Sequence, residues 1–493
     1  SIRIMINISK KKDCCGCNAC GDVCPKHSIT FKIDKEGFWY PEVEMDTCID
    51  CHLCEKVCPL LNKEEYKNID GYVKPKTYAL VHKNIEVRFD STSGGAFTAL
   101  AEEVYKQGGF VGGAIYNEDW SVSQFLSSSK NDLPKLRSSK YLQSHFDGFY
   151  KSVKEALKTE KPVLVCGSPC QMAAMFRYLK KPYENLIIVD YICRGIASPM
   201  YFRKWINYLE NKHNSKVIFY KAKSKELGWR KLSTRIEYAN GEADVIAGHD
   251  NPWLMMQYKV PEICRPSCFE CSFKGFPRTS DITMGDLWAK KGSIPQNLDG
   301  DLGTSIVFAN NAKGEAFLSR CFKKVEYKEF PFETAVKGNF HLENAVRHSS
   351  YDRETFFQDL NESFEECIDK YIPEFNHQQY SVKSKTKNFL KFVWKISSAS
   401  GWSISTWRKN LWYNIFSSKV KTSIFKGHYF IIEKNCTIQI NSKGRLILDS
   451  ALYFGTKKVK GSILDSRLLI ESGGIMRIYG GDYSISYGAD IEV

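Results

Sequence analysis

Residues 14–25 read CCGCNACGDVCP and residues 48–59 read CIDCHLCEKVCP. Both runs follow one rule, Cys-x2-Cys-x2-Cys-x3-Cys-Pro. It is carried by Cys14, Cys17, Cys20 and Cys24 in the first run and by Cys48, Cys51, Cys54 and Cys58 in the second, and Cys15 is left over. A run of this kind grips a [4Fe-4S] cube with three closely spaced thiolates, while its fourth thiolate reaches across to the cube of the other run. The spacing therefore predicts one cluster on Cys14, Cys17, Cys20 and Cys58, and a second on Cys48, Cys51, Cys54 and Cys24. Pro25 and Pro59 are expected to turn the chain away from a short helix that ends at each fourth ligand. Structural zinc takes paired Cys-x2-Cys hooks, two to a site, and has no use for eight evenly chained ligands. Disulfides are not expected, since no hydrophobic signal segment precedes the cysteines.

The pattern is that of a small bacterial-type ferredoxin domain, and the rest of the chain has room for more. Its 493 residues suit about three domains, and 43% hydrophobic with 13% aromatic residues is enough for a real core. No apolar run reaches the ~18 residues of a spanning helix. Eighteen cysteines without a secretory segment point to a reducing compartment, so a cytoplasmic protein is expected. The net charge of +14 is largely local: residues 375–432 hold ten Lys and Arg and no Asp or Glu. With the remainder close to balanced, no nucleic-acid partner is expected.

After the ferredoxin module, KPKTYALVHK reads as a strand, and STSGGAFTALAEEVYKQGG as a Gly-rich turn opening an amphipathic helix, with a second strand in FVGGAIY. Ser93, Gly94 and Gly95 at that turn can aim backbone N–H groups at a phosphate; the plainer reading is Ser93 as an N-cap with glycines for the turn. Further on, KPVLVCGSPCQMAAMFRYLKK reads as buried strand, loop and helix, and NLIIVDYICRG as a buried strand ending at Cys193. Such strand ends lie at the carboxyl edge of a sheet, where α/β folds keep their sites. RPSCFECSFKGFPRTSDITMGDLW then brings a new ligand hook, Cys268-x2-Cys271.

STSGG, SSKYLQS, CGSPCQ, DYICRG, the pair Gly228–Trp229 and the RPSCFEC segment occur in an order that closely resembles the family of coenzyme F420 hydrogenase/dehydrogenase beta subunits, over roughly residues 10–340. The resemblance implies an iron-sulfur flavoprotein with FAD beside a third [4Fe-4S] cluster. Cys170, Cys193, Cys268 and Cys271 sit on positions that match the family's motifs and are its expected ligands. Cys166 belongs to an apolar strand, where a thiol is usually packing. Cys264 completes the site only if Cys170 or Cys193 is a buried thiol. For FAD the implied contacts are Ser93, Gly94 and Gly95 to phosphate, and Ser139 and Lys140 to flavin or substrate. Lys140 and Asp286 are the candidate catalytic residues; Asp281 and Asp286 serve that site or organise the loop after the cysteine hook. Two departures from the family pattern lie near it: CRG at residues 193–195 where Cys-His-Gly is common, and DLWAK after Gly285 where Trp-Gly is usual.

The implied activity moves electrons between a hydride-type small-molecule substrate, a deazaflavin F420 or similar, and a ferredoxin or another one-electron partner. Two alternatives remain at this stage. One is an electron-delivery subunit without a substrate of its own; the other is a redox module fused to an acyltransferase-like domain in polysaccharide biosynthesis. No Ser-His-Asp or Cys-His arrangement argues for hydrolysis.

The tail differs in character. NFLKFVWKI, with Phe389, Val393 and Ile396 on one face, and STWRKNLWYNIF, with Trp407, Leu411 and Ile415 four apart, read as helices among basic residues and Trp394, Trp402, Trp407 and Trp412. That mixture predicts peripheral contact with an anionic membrane through residues 383–426 at its inner face, against a helical linker packed on its own domain. From His428, read as a turn residue, short β-type runs follow. Aliphatic residues recur six apart at Ile432 and Ile438, at Ile463, Leu469 and Ile475, and at Ile485 and Ile491. A six-residue period suggests β-helix coils, similar to the opening coils of hexapeptide-repeat acyltransferases. The expected fold is an α+β multidomain chain: a ferredoxin domain over 1–70, an α/β flavin-binding domain in two parts over 71–155 and 156–345, a basic helical linker over 346–426, and a partial left-handed β-helix over 427–493.

Overall fold

The computed structural model describes residues 6, 8–63, 70–289, 293–295, 297–299, 301–375, 382–400, 403–433, 436–448, 451–456, 466–478, 483–486 and 490–493. The chain divides into two compact units, residues 1–372 and 373–493.

In the first unit the two cysteine runs fold as one motif used twice. Helices α1 (Ala19–Val23) and α2 (Leu53–Val57) each follow a residue in the left-handed region, Asn18 at φ 61° and His52 at φ 56°. Each ends on a cysteine with nearly identical backbone angles, φ −70° and ψ 115° at Cys24, φ −68° and ψ 117° at Cys58. Between the helices, β1 (Ile29–Ile33) and β2 (Trp39–Val43) form an antiparallel hairpin. This is the expected ferredoxin module.

The rest of the unit is built on a mixed sheet of nine strands in the order β14-β3-β13-β12-β8-β7-β4-β5-β6. The strands are β3 (Lys76–His82), β4 (Phe110–Tyr116), β5 (Val122–Ser127), β6 (Ser144–His145), β7 (Val163–Gly167), β8 (Leu186–Tyr191), β12 (Ile282–Asp286), β13 (Ser305–Ala309) and β14 (Val325–Glu329). A separate antiparallel sheet holds β9 (Val217–Ser224), β10 (Ser233–Tyr238) and β11 (Ala243–Ala247). The centre, β4-β7-β8-β12, is parallel. Its strands are apolar because both faces are covered: Val163, Leu164, Val165 and Val189 are wholly buried. Each such side chain contributes about 1.5–3 kcal/mol. Helix α3 (Ala96–Lys106) connects β3 to β4, followed by α4 (Phe149–Leu157), α5 (Pro169–Leu179) and α6 (Pro199–His213). The ferredoxin module is anchored on α4, where the Asp22 carboxylate accepts from the N–H groups of Gly148 at 2.8 Å and Tyr150 at 3.2 Å. An anion at a helix N-terminus is favoured by the free N–H groups there.

In the second unit, α7 (Val382–Ser400) and α8 (Ile404–Leu411) pack on short strands. The helical reading of the tail holds, but the buried face differs from the expected one. Phe392 and Ile396 pack under Tyr429, Ile431 and Ala451, while Phe389 is 41% exposed. The strands are β15 (Val420–Lys421), β16 (Phe430–Ile432), β17 (Cys436–Ile440), β18 (Arg445–Leu448), β19 (Leu452–Thr456), β20 (Ser466–Ile470), β21 (Ile475–Ile478), β22 (Tyr483–Ser486) and β23 (Asp490–Glu492). They form three parallel sheets, β15-β18-β21, β16-β19-β22 and β17-β20-β23, visited in rotation.

The six-residue period does not survive in this segment. Phe430 pairs with Leu452 and Cys436 with Ser466, so stacked strands are separated by unequal lengths of chain. Inward residues alternate within each strand instead: Phe430 and Ile432, Leu446 and Leu448, Leu452 and Phe454, Leu468 and Ile470 are buried. Ile475, a member of the six-residue set, is 61% exposed. Ile463 and Trp402 lie outside the described residues.

Candidate redox site

Cys14, Cys17, Cys20 and Cys58 line one cavity together with Cys15, Asp13, Gly16 and the apolar side chains of Ile6, Ile8, Phe31 and Pro41. These are the four thiols that the spacing assigns to the first cluster. Burial first, and then the neighbouring sulfurs Cys17, Cys14, Cys58 and Cys54, push the Cys20 thiol well above its ordinary value. Burial and Cys17 likewise push Cys58 up to about 12. Held as thiolates, these side chains would need a positive core between them, which iron supplies. Among the described residues no three His, Cys, Asp or Glu side chains converge as a lone metal ion requires. A cube, which spreads its ligands over its corners, asks for this ring around a cavity. In the second run Cys54 is buried, whereas Cys48, Cys51 and Cys24 are partly exposed, and the Cys24 sulfur accepts from Ser28 N at 3.3 Å.

The wall of the cavity at Gly16 requires glycine. Its φ is +70°, and an added Cβ would lie 2.0 Å from Gln143 Nε2 and 2.8 Å from Arg265 Nη1. The Gln143 amide donates to Gly16 O at 3.0 Å, and the Tyr150 hydroxyl donates to Cys17 O at 2.7 Å. Loops of the large sheet thus close the cluster cavity from outside the ferredoxin module.

A third group of sulfurs gathers at the carboxyl ends of the parallel strands, as expected from the strand–loop pattern. Cys170 opens α5 after β7, Cys193 follows β8, and Cys268 and Cys271 come from the RPSCFEC segment. Burial first, then Lys274, Cys170, Cys271 and Cys264, act on Cys193, with the net effect of raising it to about 12. Cys268 is raised well above its ordinary value by burial, Cys264 and Cys193, and its sulfur accepts from Ile196 N at 3.3 Å. The structure adds Cys264, which the sequence pattern leaves aside: it is buried, and its sulfur lies 2.8 Å from where a Cβ on Gly195 would stand. Five thiols therefore share this site. The Lys274 ammonium donates to the carbonyls of Cys193 and, at 2.9 Å, of His341.

Cys15, the cysteine left over by the spacing rule, joins the two regions. Its thiol is raised well above the ordinary value by hydrogen bonding with Cys17, then with Cys170, and by burial. The same contact with Cys15, against burial and with help from the Ser168 hydroxyl at 3.2 Å, pulls Cys170 down to about 7. Leu60, just beyond the second cysteine run, packs against the same Ala173 and Phe273 cluster as Cys170 and Cys271. The third thiol site therefore adjoins the ferredoxin module.

The residues expected at a flavin or substrate stand nearby in mixed roles. The Ser93 hydroxyl donates to Thr304 O at 2.8 Å and Gly94 N donates to Ser305 Oγ at 2.8 Å. Gly94 lies so close to β3 and β13 that a Cβ would meet Leu80 O at 2.4 Å. Gly95, at φ +95°, precedes the first residue of α3. Ser139 N donates to Thr92 Oγ1 at 3.0 Å. The Lys140 ammonium donates to four carbonyls, those of Lys135, Leu136, Arg137 and Ser138, at 2.7 to 3.3 Å. Burial pulls its pKa down to about 7. Asp286, the last residue of β12, accepts from Lys223 at 2.8 Å. Burial opposes the charge on Lys223, but Asp286 and Tyr141 outweigh it and raise the lysine above its ordinary value. Asp281 is buried and structural: it accepts from Ile188 N at 2.8 Å and Asn311 Nδ2 at 2.9 Å.

Sequence reasoning missed what surrounds Lys223. Lys221 and Arg137 both bind Asp90, at 2.7 and 2.5 Å, and Lys225 donates to the carbonyls of Arg88 and Ser93. Trp229, from the Gly228–Trp229 motif, stacks on Trp288 of the DLW motif at 4.6 Å with planes 3° apart. Lys223 lies 5.8 Å above the Trp288 ring, and the buried Trp229 Nε1 has no hydrogen-bond acceptor among the described residues. Only the recurrence of Gly-Trp and Asp-Leu-Trp as motif residues hinted at this pairing.

Comparison with known proteins agrees with this anatomy. Residues 160–334 match the family of coenzyme F420 hydrogenase/dehydrogenase beta subunits, at their carboxyl-terminal part, and residues 13–61 match the 4Fe-4S dicluster domain. An uncharacterised protein of Methanocaldococcus jannaschii is 24% identical over 344 residues, covering 62% of this chain and 86% of its own. One of the subunits of the F420H2 dehydrogenase of Methanosarcina mazei is 22% identical over 188 residues, 36% of this chain and 51% of that protein, so the chain spans about half the length of that relative. A chain of the F420-reducing [NiFe] hydrogenase complex of Methanosarcina barkeri aligns at 16% identity and a TM-score of 0.37, over 57% of this chain and 99% of that one. The chain is an iron-sulfur redox protein related to F420 hydrogenase and dehydrogenase beta subunits.

Proposed function

We propose that the protein is an oxidoreductase passing electrons between a hydride-type small molecule, a deazaflavin or a close analogue, and a one-electron protein partner. The route runs through FAD, a third [4Fe-4S] cluster on four of the five thiols at Cys170, Cys193, Cys264, Cys268 and Cys271, and the two ferredoxin clusters. The observation that carries this reading is the bond from Arg265 Nε, three residues before Cys268, to Cys14 O at 2.7 Å, which ties the segment of the third thiol site to the wall of the first cavity, with Cys15 interacting electrostatically with both Cys17 and Cys170.

The residues beyond the third site fit a flavin. A stacked indole pair, an indole N–H without an acceptor among the described residues, and Lys223 held beside it by Asp286 form a partly buried, cationic surface. Lys223, Trp229, Trp288 and Tyr141 would hold the ring system, with Ser139 beside them, and the Gly95 end of α3 would face phosphate. A bound flavin supplies the exchange between two-electron and one-electron chemistry. The chain's own part is to hold Lys223 charged, to fix the Ser93 turn through Lys225, and to keep the thiol sites dry. Lys140 stays a candidate for proton exchange with the substrate, since its pKa near 7 leaves both forms populated at neutral pH.

The test is anaerobic turnover. Reduced coenzyme F420 and NADH are offered in turn, with a viologen as acceptor, and steady reduction of the viologen by one of them is expected. If neither donor works on protein with full iron and flavin content, the chain is an electron-delivery subunit of a larger enzyme, a reading favoured by the M. mazei relative, which is a dehydrogenase subunit. For the second unit, we propose a β-helical stack whose basic helical face rests on an anionic lipid surface.

A further inference from the structure

Arg265 is completely buried, yet the three oxygens it donates to belong to neutral carbonyl and amide groups, and the ionisable acceptor beside it is the Cys14 side chain. Its Nε donates to Cys14 O at 2.7 Å, Nη1 to Gln143 Oε1 at 2.9 Å and Nη2 to Trp39 O at 2.9 Å, and the guanidinium lies 4.2 Å from the centre of the Tyr40 ring. Among the described residues no carboxylate pairs with it. Arginine keeps its proton at any pH a protein survives, and an isolated buried charge carries a heavy desolvation penalty. The anion that balances it must come from elsewhere. Its guanidinium touches Gly16, and behind Gly16 lies the cavity of Cys14, Cys17, Cys20 and Cys58.

The repeat within the ferredoxin module supplies a control. Gly16 at φ 70° corresponds, run for run, to Asp50 at φ 57°. At this position one cluster thus has a buried cation and the other a carboxylate, with His52 3.6 Å from it; elsewhere on the first cavity's lining stands Asp13. A cube held by four thiolates is anionic and gains one further negative charge on reduction. A fixed cation favours the reduced form, and a carboxylate disfavours it.

We propose that Arg265 holds the reduction potential of the cluster at Cys14, Cys17, Cys20 and Cys58 above that of its twin, so that the first electron entering the ferredoxin module rests beside the third thiol site. This rests on the iron-sulfur reading above. Arg265 is a positioning residue for that charge, and its place in the RPSCFEC segment, three residues before Cys268, ties the potential of the first cluster to the loop that carries the third site.

The experiment is an anaerobic dithionite titration followed by electron paramagnetic resonance, on the full chain and on three variants. Cys20→Ser identifies the signal of the first cluster, and in the parent that signal is expected to appear at the higher potential. Arg265→Gln should change the ratio in which the two clusters share an electron about tenfold, equivalent to about 59 mV for a one-electron couple. Arg265→Lys, which keeps the charge, should restore most of the difference. The proposal is overturned if the signal lost in Cys20→Ser belongs to the lower potential, or if Arg265→Gln retains its iron and both midpoints stay put. If Arg265→Gln loses iron, the order of potentials in the parent, read against Cys20→Ser, still decides. Fewer than about eight iron atoms in the parent would instead sink the cluster assignment itself.

Discussion

Lys140 shows how far a single residue can depart from the role its motif suggests. It closes the end of a short helical turn by donating to four carbonyls, and burial pulls its pKa to about 7 against an unfolded value near 10.4. Between those two values the unfolded chain binds a proton that the folded chain does not. Stability therefore rises with pH across that window, by at most about 1.4 kcal/mol per pH unit, and falls back as pH drops toward 7. Anaerobic guanidinium unfolding at pH 7, 8 and 9 should show that rise, and Lys140→Met should reduce it to the share left by Lys225, whose pKa burial also pulls down to about 7; equal slopes in parent and variant would refute the assignment. The eight ferredoxin cysteines could be read directly from sequence because ligand spacing is local and a cube tolerates few alternatives. Cys264, Arg265 and the Trp229–Trp288 stack could not, because each acquires its meaning from a partner far away in the chain.

Among the elements, the central strands β7 and β8 were legible as uninterrupted apolar runs, and the turn before α3 as a glycine-rich opening. The tail was legible as helices but not in its faces, since helix periodicity alone does not say which side meets the strands. Asn410 and Asn414 make the difference. Each amide both donates to and accepts from one residue of β16, Asn410 with Ile432 and Asn414 with Phe430, at 2.6 to 2.8 Å. Two side chains thereby stand in for a neighbouring strand and cover an edge that would otherwise be free to pair. Lys409 and Lys419 donate to Cys436 O and Ile440 O on β17, at 2.6 and 2.7 Å, so part of the basic excess serves the fold and not a surface. What stays outside is both basic and apolar: Lys387 and Lys391 are exposed, and Trp394 is 63% exposed, Trp412 58% and Phe416 67%. Among the described residues no helix is long and apolar enough to cross a membrane. If this face rests on lipid, the triple change of Trp394, Trp412 and Phe416 to Ala should weaken binding to phosphatidylserine vesicles at least tenfold while leaving iron content intact. Parent binding should also fall as salt shortens the Debye length from about 10 Å at 0.1 M toward 3 Å at 1 M. Sedimentation with vesicles measures both, and a variant that pellets as well as the parent would remove the lipid reading.

At the scale of the first unit the decisive question is whether its thiol sites form one wire. Arg265, from the segment that carries Cys268, donates to Cys14 O at 2.7 Å, and Cys15 interacts with both Cys17 and Cys170, so on the proposed route the third site is the junction between the flavin and the ferredoxin module. Cys268→Ser should empty the third site while sparing both ferredoxin clusters, because the hook is separate in sequence from the two N-terminal runs. Cys264 Sγ and Cys268 Cβ both lie beside Gly195, 2.8 and 3.5 Å from where its Cβ would stand, so Cys264 is placed to take over as a ligand and Cys268→Ser is best paired with a Cys264→Ser, Cys268→Ser double variant. Iron should fall from about twelve to about eight per chain in the double variant, four for each cube. With a hydride donor, the flavin should still bleach at the parent's rate, since its contacts lie beyond the lost cluster. The ferredoxin clusters should then fill at least a hundredfold more slowly, read in the broad iron-sulfur absorbance by rapid mixing. Equal filling rates at eight iron would mean that electrons pass from flavin to the Cys14 cluster directly, and the five thiols of the third site would have to be explained as structure.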